Sequence, residues 1–258
     1  MTIKTDIGYS TPDAIFVRGR NLSEDILGKV DFIDMIFLAA TGEVPDANMR
    51  KMADTIMVAS TDHGLTPISI AARLTYLGAP ESVQGAVASG LLGAGDRFLG
   101  TMQTAAIMLQ ENIGDLQVTD SDETFAKVAQ TIVADFRSRK EILPGLGHPT
   151  HVDGDPRTPV IKDIAGENGF DGKYWKLMEA ISNEANESLG RKLPINVTGA
   201  VGATISEMGL EPIWARAFAL IGRSAGIVAH LIDERKNPIA KDIWLNVLAQ
   251  DDSAKETG

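Results

Sequence analysis

A stretch punctuated by proline and glycine, Leu143-Pro144-Gly145-Leu146-Gly147-His148-Pro149, is followed closely by Gly154-Asp155-Pro156-Arg157-Thr158-Pro159. Prolines and glycines at this density forbid a long regular helix. The run therefore holds His148 and, nine residues later, Arg157 on a stiff irregular backbone. An imidazole can hydrogen-bond or protonate an oxygen near neutral pH. A guanidinium presents a bidentate fork to a carboxylate. Gly145 and Gly147 let backbone N–H groups approach a ligand closely. The competing reading is a surface turn with an incidental histidine.

Four further residues carry chemistry. Arg223 lies inside an otherwise apolar helix, where an unpaired charge is costly. Its partner is either a substrate carboxylate or a structural acid. His63, in Thr61-Asp62-His63-Gly64, follows a helix end and either caps it or meets a ligand. Asp96 and Arg97 read first as an ion pair between helices. The four histidines, His63, His148, His151 and His230, are too scattered along the chain for a helical zinc motif, and there is no cysteine. No metal is expected.

The 258 residues are enough to bury a real core, as one large domain or two intimate ones. Hydrophobic residues make up 44% and charged residues 23%, as in soluble globular proteins. The net charge of -11 argues against a general binder of nucleic acid or of an anionic membrane. The first residues have no apolar signal region, and no uninterrupted apolar run reaches ~18 residues. A cytoplasmic protein is expected.

The elements that must position these residues read as helices. Asn21-Leu22-Ser23 caps a helix through about Phe37, after an irregular start over 8–22 that has room for a short strand pair. Asp46 caps the next, and Thr66 with Pro67 at the first helical position opens another, which ends at Gly78. Small residues Gly85, Ala86, Ala88, Ser89 and Gly90 mark a helix buried against a neighbour, and 101–112 resume helical spacing. Asp120 and Glu123 form an acidic capping pair for the clearest amphipathic helix, with Phe125, Val128, Ala129, Ile132, Val133 and Phe136 on one face. Another carries Tyr174 to Leu189 and is capped by Gly190. A short apolar helix follows Asn196, and a long central one runs from Pro212 to about Arg235. Residues 251–258 are polar and read as frayed. The class is all-α, with eight or nine helices.

Taken in order, Thr61-Asp62-His63-Gly64, Gly90-Leu91-Leu92-Gly93-Ala94-Gly95-Asp96-Arg97-Phe98, Pro144-Gly145-Leu146-Gly147-His148 with Asp155-Pro156-Arg157, Asn196-Val197, and Gly222-Arg223-Ser224-Ala225-Gly226 through His230 resemble the citrate synthase superfamily. The narrower resemblance is to citryl-CoA lyase, including the lyase module at the C-terminal end of ATP-citrate lyase. The Gly-Asp-Arg-Phe element points to the lyases, because citrate synthases carry a Gly-Pro-x-His-Gly loop there.

The resemblance implies a two-domain helical fold. A large domain would use 1–104 and 200–258, with a small domain inserted at 105–199. The assembly would be a homodimer or a dimer of dimers. The reaction would cleave a citryl-CoA-like 3-hydroxyacyl-CoA into an acetyl-CoA-type thioester and a 2-oxo acid such as oxaloacetate, or run in reverse. Coenzyme A enters as the thioester of substrate or product, and no permanent cofactor is implied.

By the same resemblance His148 takes the hydroxyl proton, and Arg157, Arg223 and His63 hold substrate carboxylates. The Gly145 and Gly147 backbone and His151 lie near coenzyme A. Asp96 stands where synthases carry an enolate-stabilising histidine. Two positions depart from the family. Thr198 stands where the family has the aspartate that moves the α-carbon proton, and a threonine hydroxyl cannot do that alone. Pro149 stands where many relatives have arginine. The alternatives are a non-catalytic CoA-ester-binding relative, or a condensing synthase or thioesterase on the same scaffold.

Overall fold

The structure is a computed structural model that describes residues 3–148 and 150–253. Pro149 and the last five residues, part of the expected frayed end, lie outside the described residues. The fold is mostly helical, as expected. Two compact units divide the chain, Met1–Thr55 and Ile56–Gly258. The expected domain boundaries lie inside α5 (Gly100–Asn112) and α9 (Val197–Glu207), two helices that pack against each other.

The first unit opens with an antiparallel sheet, β1 (Gly8–Ser10), β2 (Ile15–Val17) and β3 (Arg20–Asn21), where a strand pair was the most the sequence suggested. Tyr9 pairs with Phe16 and the rings stack at 4.9 Å. Arg18 and Gly19 both have positive φ, as a tight two-residue hairpin requires. The Arg18 side chain then reaches the carbonyls of Ala39 and Ala40. These close α1 (Phe32–Thr41), which ends on left-handed Gly42.

The single helix expected from Asn21 to Phe37 is two elements. Asn21 caps only a π-helical turn, Leu22–Ile26, and left-handed Gly28 then breaks the chain. Asp31 restarts it by accepting the Asp34 N–H.

The unit boundary falls within α2 (Ala47–Ser60), whose start Asp46 caps as expected. In the second unit, α3 (Pro67–Gly78) packs on α4 (Val83–Leu92), α5 on α9, and α6 (Asp122–Arg139) on α8 (Lys173–Leu189). Ser121, rather than Asp120, caps α6. The predicted face of α6 is buried at Phe125, Ala129, Ile132 and Val133. Gly190 closes α8 in the left-handed conformation.

Two helices were missed, α7 (Arg157–Glu167) and α11 (Ala240–Gln250), so eleven α-helices stand among the described residues. Pro159 does not break α7 because it lies in the first turn, where the missing N–H has no partner to lose.

The long helix α10 (Ile213–Lys236) packs against α3, α4, α5 and α9. Its length and hydropathy would suit a membrane span. Here Ala215, Phe218, Ala219, Gly222, Ile227 and Leu231 are buried as protein core. Two glycines on α10 set its position. A methyl group on Gly222 would lie 2.3 Å from the Met57 carbonyl oxygen, and one on Gly226 would lie 1.8 Å from that of Thr61. Backbone therefore meets backbone where α10 crosses the end of α2.

Candidate active site

The end of α2 is the anchor. Its last carbonyls lack helical partners and carry the negative end of the helix dipole. Two arginines from distant parts of the chain use them. Arg157 at the start of α7 donates Nη1 to Ala59 O at 3.2 Å, and Arg223 of α10 donates Nε to Ser60 O at 3.0 Å. His63 follows three residues later in a short turn. Asp62 Oδ2 pins that turn by accepting the Gly64 N–H, and Gly64 takes a positive φ. The turn ends where Thr66 and Pro67 begin α3, with Ser69 Oγ accepting the Thr66 N–H.

The 143–157 loop is fastened to the segment before α9. Leu146 bridges Ile195, the Gly147 N–H donates to Pro194 O at 2.8 Å, and the Asn196 N–H donates to Gly145 O at 3.0 Å. Gly145 and Gly199 touch through their backbones, leaving no room for a Cβ on either. The glycines expected to offer N–H groups to coenzyme A thus serve the protein's own chain contacts. Gly147 in particular has already given its N–H away.

Asp155 is buried and takes both prongs of Arg157, Nε at 3.0 Å and Nη2 at 2.8 Å, together with the Val197 N–H. Burial opposes its charge. The Arg157 guanidinium and the backbone donors outweigh that and hold its pKa down to about 2. One fork of Arg157 is therefore committed to Asp155 and Nη1 also donates to Ala59 O, so one N–H on each of Nη1 and Nη2 remains for a ligand carboxylate.

Arg223 is 6% exposed and forms no ion pair among the described residues. Desolvation pulls its pKa down. Asp62 opposes this, and Arg157 adds to it. Asp62 itself is occupied, accepting from His230 Nε2 at 2.8 Å. The other nitrogen of His230 faces the guanidinium of Arg73, at 3.1 Å from Nε and 2.9 Å from Nη2.

The structure brings together His63, His148 and His151. Their ring centres lie 5.4 Å (63–148), 5.6 Å (63–151) and 4.5 Å (148–151) apart, and one nitrogen from each falls within 4.8 Å of the others. Burial depresses the pKa of both His63 and His148. Arg157, His151 and Arg223 push the first down further, and His151, His63 and Arg157 the second, while Asp155 opposes in both. Both are neutral at pH 7. His148 Nδ1 accepts the N–H groups of Thr150 and His151 at 3.1 and 3.0 Å, so its proton sits on Nε2. The resemblance gave His148 the role of taking a proton. This geometry makes it a hydrogen-bond donor.

Spacing alone would let the three histidines hold a cation. A metal needs an unprotonated nitrogen, however, and the one on His148 is capped by two backbone donors. Two guanidiniums also act on His63, and one of them on His148. The donor set suits a carboxylated ligand with a polar oxygen.

Thr198 lies in the first turn of α9 and donates its hydroxyl to Asn196 Oδ1 at 2.7 Å. Asn196 in turn donates Nδ2 to the Gly147 carbonyl, beside His148. Asp96 is exposed and pairs with Arg216 of α10, not with Arg97. Asp155 as the keeper of Arg157 went unremarked in the sequence, although the Asp-Pro-Arg spacing placed the two groups side by side.

The citrate synthase C-terminal domain family profile matches residues 14–243. The structure superposes on citryl-CoA lyase from Hydrogenobacter thermophilus with a TM-score of 0.78 and 32% identity, covering 92% of this chain and 88% of that one. ATP citrate lyase from Methanothrix soehngenii, solved with citrate and coenzyme A, gives 0.73 and 19% identity over 92% of this chain and 39% of that one, a likeness of fold. Citrate synthase of Deinococcus radiodurans is 24% identical over 75% of this chain and 49% of its own. The chain spans half or less of the curated relatives it matches. The profile match over most of the chain, and a lyase neighbour covered nearly end to end, show that this chain belongs to the citrate synthase family.

Proposed function

We propose that the protein is a carbon–carbon lyase that cleaves a citryl-CoA-like 3-hydroxyacyl-CoA into an acetyl-CoA-type thioester and a 2-oxo acid. The observation that carries this reading is Arg223, a nearly buried cation with one backbone carbonyl and no ion pair among the described residues, Asp62 acting on it only from a distance. Such a charge is costly unless an anion joins it. With the outer edge of Arg157 and neutral His63 beside it, the site suits a carboxylated acyl group. His148 offers Nε2–H to the oxygen that is a hydroxyl before cleavage and a ketone after it. The likeness to a citryl-CoA lyase over most of both chains supports cleavage over condensation as the working direction.

A second reading, a CoA-ester-binding relative without turnover, is favoured by Thr198. Its hydroxyl is tied to Asn196 and carries no titratable proton near pH 7. Incubating the protein with citryl-CoA, citramalyl-CoA and malyl-CoA separates the two. Release of a 2-oxo acid supports the lyase, and tight binding without release supports the binding protein.

Self-association belongs to the same proposal. Ile213, Val228 and Ile232 of α10 and Trp244, Leu245, Val247 and Leu248 of α11 leave large apolar groups exposed. Sedimentation at micromolar concentration should show a dimer or a tetramer, and a strict monomer would remove this part of the reading.

A further inference from the structure

We propose that His151 carries the proton in this reaction, from the C3 hydroxyl oxygen to the α carbon of the thioester. The proposal rests on the lyase reading above. In cleavage the bond between the α carbon and C3 breaks, and its electron pair passes into the thioester as an enolate. C3 becomes a ketone as its hydroxyl loses a proton, and the α carbon gains one. The net change is one proton moved from oxygen to carbon, with no oxidant, reductant or water consumed. The site therefore needs a group that starts with an unprotonated atom and can give the proton back.

Most groups at the site are already committed. His148 presents Nε2–H because two backbone donors occupy Nδ1. Asp155 is held by Arg157 and by the Val197 N–H. Asp62 is held by Gly64 and His230. Thr198 donates to Asn196. His63 has both guanidiniums acting on it, so a passing positive charge there meets two fixed ones.

His151 is half-buried, and among the described residues only its backbone groups are hydrogen-bonded, the N–H to His148 and the carbonyl to Gly154. Its ring lies 4.5 Å from that of His148, and a nitrogen of each falls within 4.8 Å of the other. An oxygen held by the His148 Nε2–H is therefore within reach of His151. The hydroxyl oxygen and the α carbon are both bonded to C3, so one imidazole can serve both with a small shift. An unprotonated ring nitrogen of His151 accepts the hydroxyl proton as the carbon–carbon bond opens, while His148 stays on the ketone oxygen. The His151 imidazolium then protonates the enolate carbon and returns to neutral.

The test compares the parent with His151→Gln, His151→Ala and His151→Gln/Thr198→Asp. It follows 2-oxo acid release from citryl-CoA, exchange of acetyl-CoA methyl protons in D₂O, and CoA-ester binding by calorimetry as a check on folding. The expected result is a loss of about 100-fold or more in both cleavage and exchange. Binding should stay within about threefold, imidazole should restore part of the rate to His151→Ala, and the added carboxylate should restore exchange in the double variant. An active parent with a His151→Gln variant that exchanges at the parent rate overturns this proposal and leaves the lyase reading standing. A parent that neither cleaves nor exchanges overturns both.

Discussion

Two arginines are buried at α10, Arg223 on the helix itself and Arg73 on α3 against it, and their partners differ. Arg73 is 3% exposed and Arg223 is 6% exposed. Arg73 meets Glu234 at 2.6 Å, Asp233 at 2.7 Å and the ring of His230. Desolvation pulls its pKa down, but the two carboxylates outweigh that and hold it above its ordinary value. Arg223 has a backbone carbonyl at 3.0 Å, and desolvation leaves its pKa below the ordinary value. The protein completes the first cation itself and leaves the second to be completed. A buried charge with all its partners in the chain holds the fold, and one lacking them marks where a ligand belongs.

The strongest test of that contrast is Arg73→Met. It leaves the buried Glu234 carboxylate without its cation, with only the Ile239 and Ala240 N–H groups, and should cost about 3–5 kcal/mol in chemical denaturation. Arg223→Met should leave stability equal or higher, yet weaken a carboxylated CoA ester by roughly 2–5 kcal/mol in calorimetry while sparing acetyl-CoA. Equal destabilisation by the two variants would break the comparison.

Asp155 supplies an intermediate case. Its pKa falls from 3.8 to about 2 on folding, a contribution of about 2 kcal/mol. That contribution is complete above pH 3.8 and is lost as pH falls through about 2, so Asp155→Asn should flatten acid unfolding in that window.

The smallest effect is on the histidines. With both lowered from 6.5, His63 and His148 support the fold fully above that pH and progressively less below it. Arg223→Met removes one repulsion, so NMR titration should show His63 moving upward. Arg73→Met should leave His63 unmoved.

Local chemistry made much of the fold legible. Asp46, Thr66 with Pro67, and Gly190 announce helix ends because each satisfies or releases backbone groups by itself. The split at Gly28 was missed because the apolar spacing ran through it, and α7 because Pro159 reads as a breaker unless its place in the first turn is known. The all-α class followed from helical spacing, and residues 63, 148, 157 and 223 stood out by their chemistry, while their roles came through the family resemblance. Their convergence depends on contacts between segments far apart in the chain, such as Arg223 with Ser60. The tautomer of His148 is set by two backbone N–H groups whose direction no residue type encodes.

Gly222 and Gly226 separate what the chain needs in order to fold from what it needs in order to act. At Gly226 an added methyl group would overlap the Thr61 carbonyl, and no rotamer change relieves a clash between two backbones. A saturation library scored for folding alone should therefore reject nearly every substitution at Gly226 while accepting many at His148, His151 and Arg223. The same library scored for turnover should reject all four. The scaffold can thus be re-equipped with new chemistry at its side chains, but the crossing of α10 over the end of α2 tolerates no added atom at Gly226.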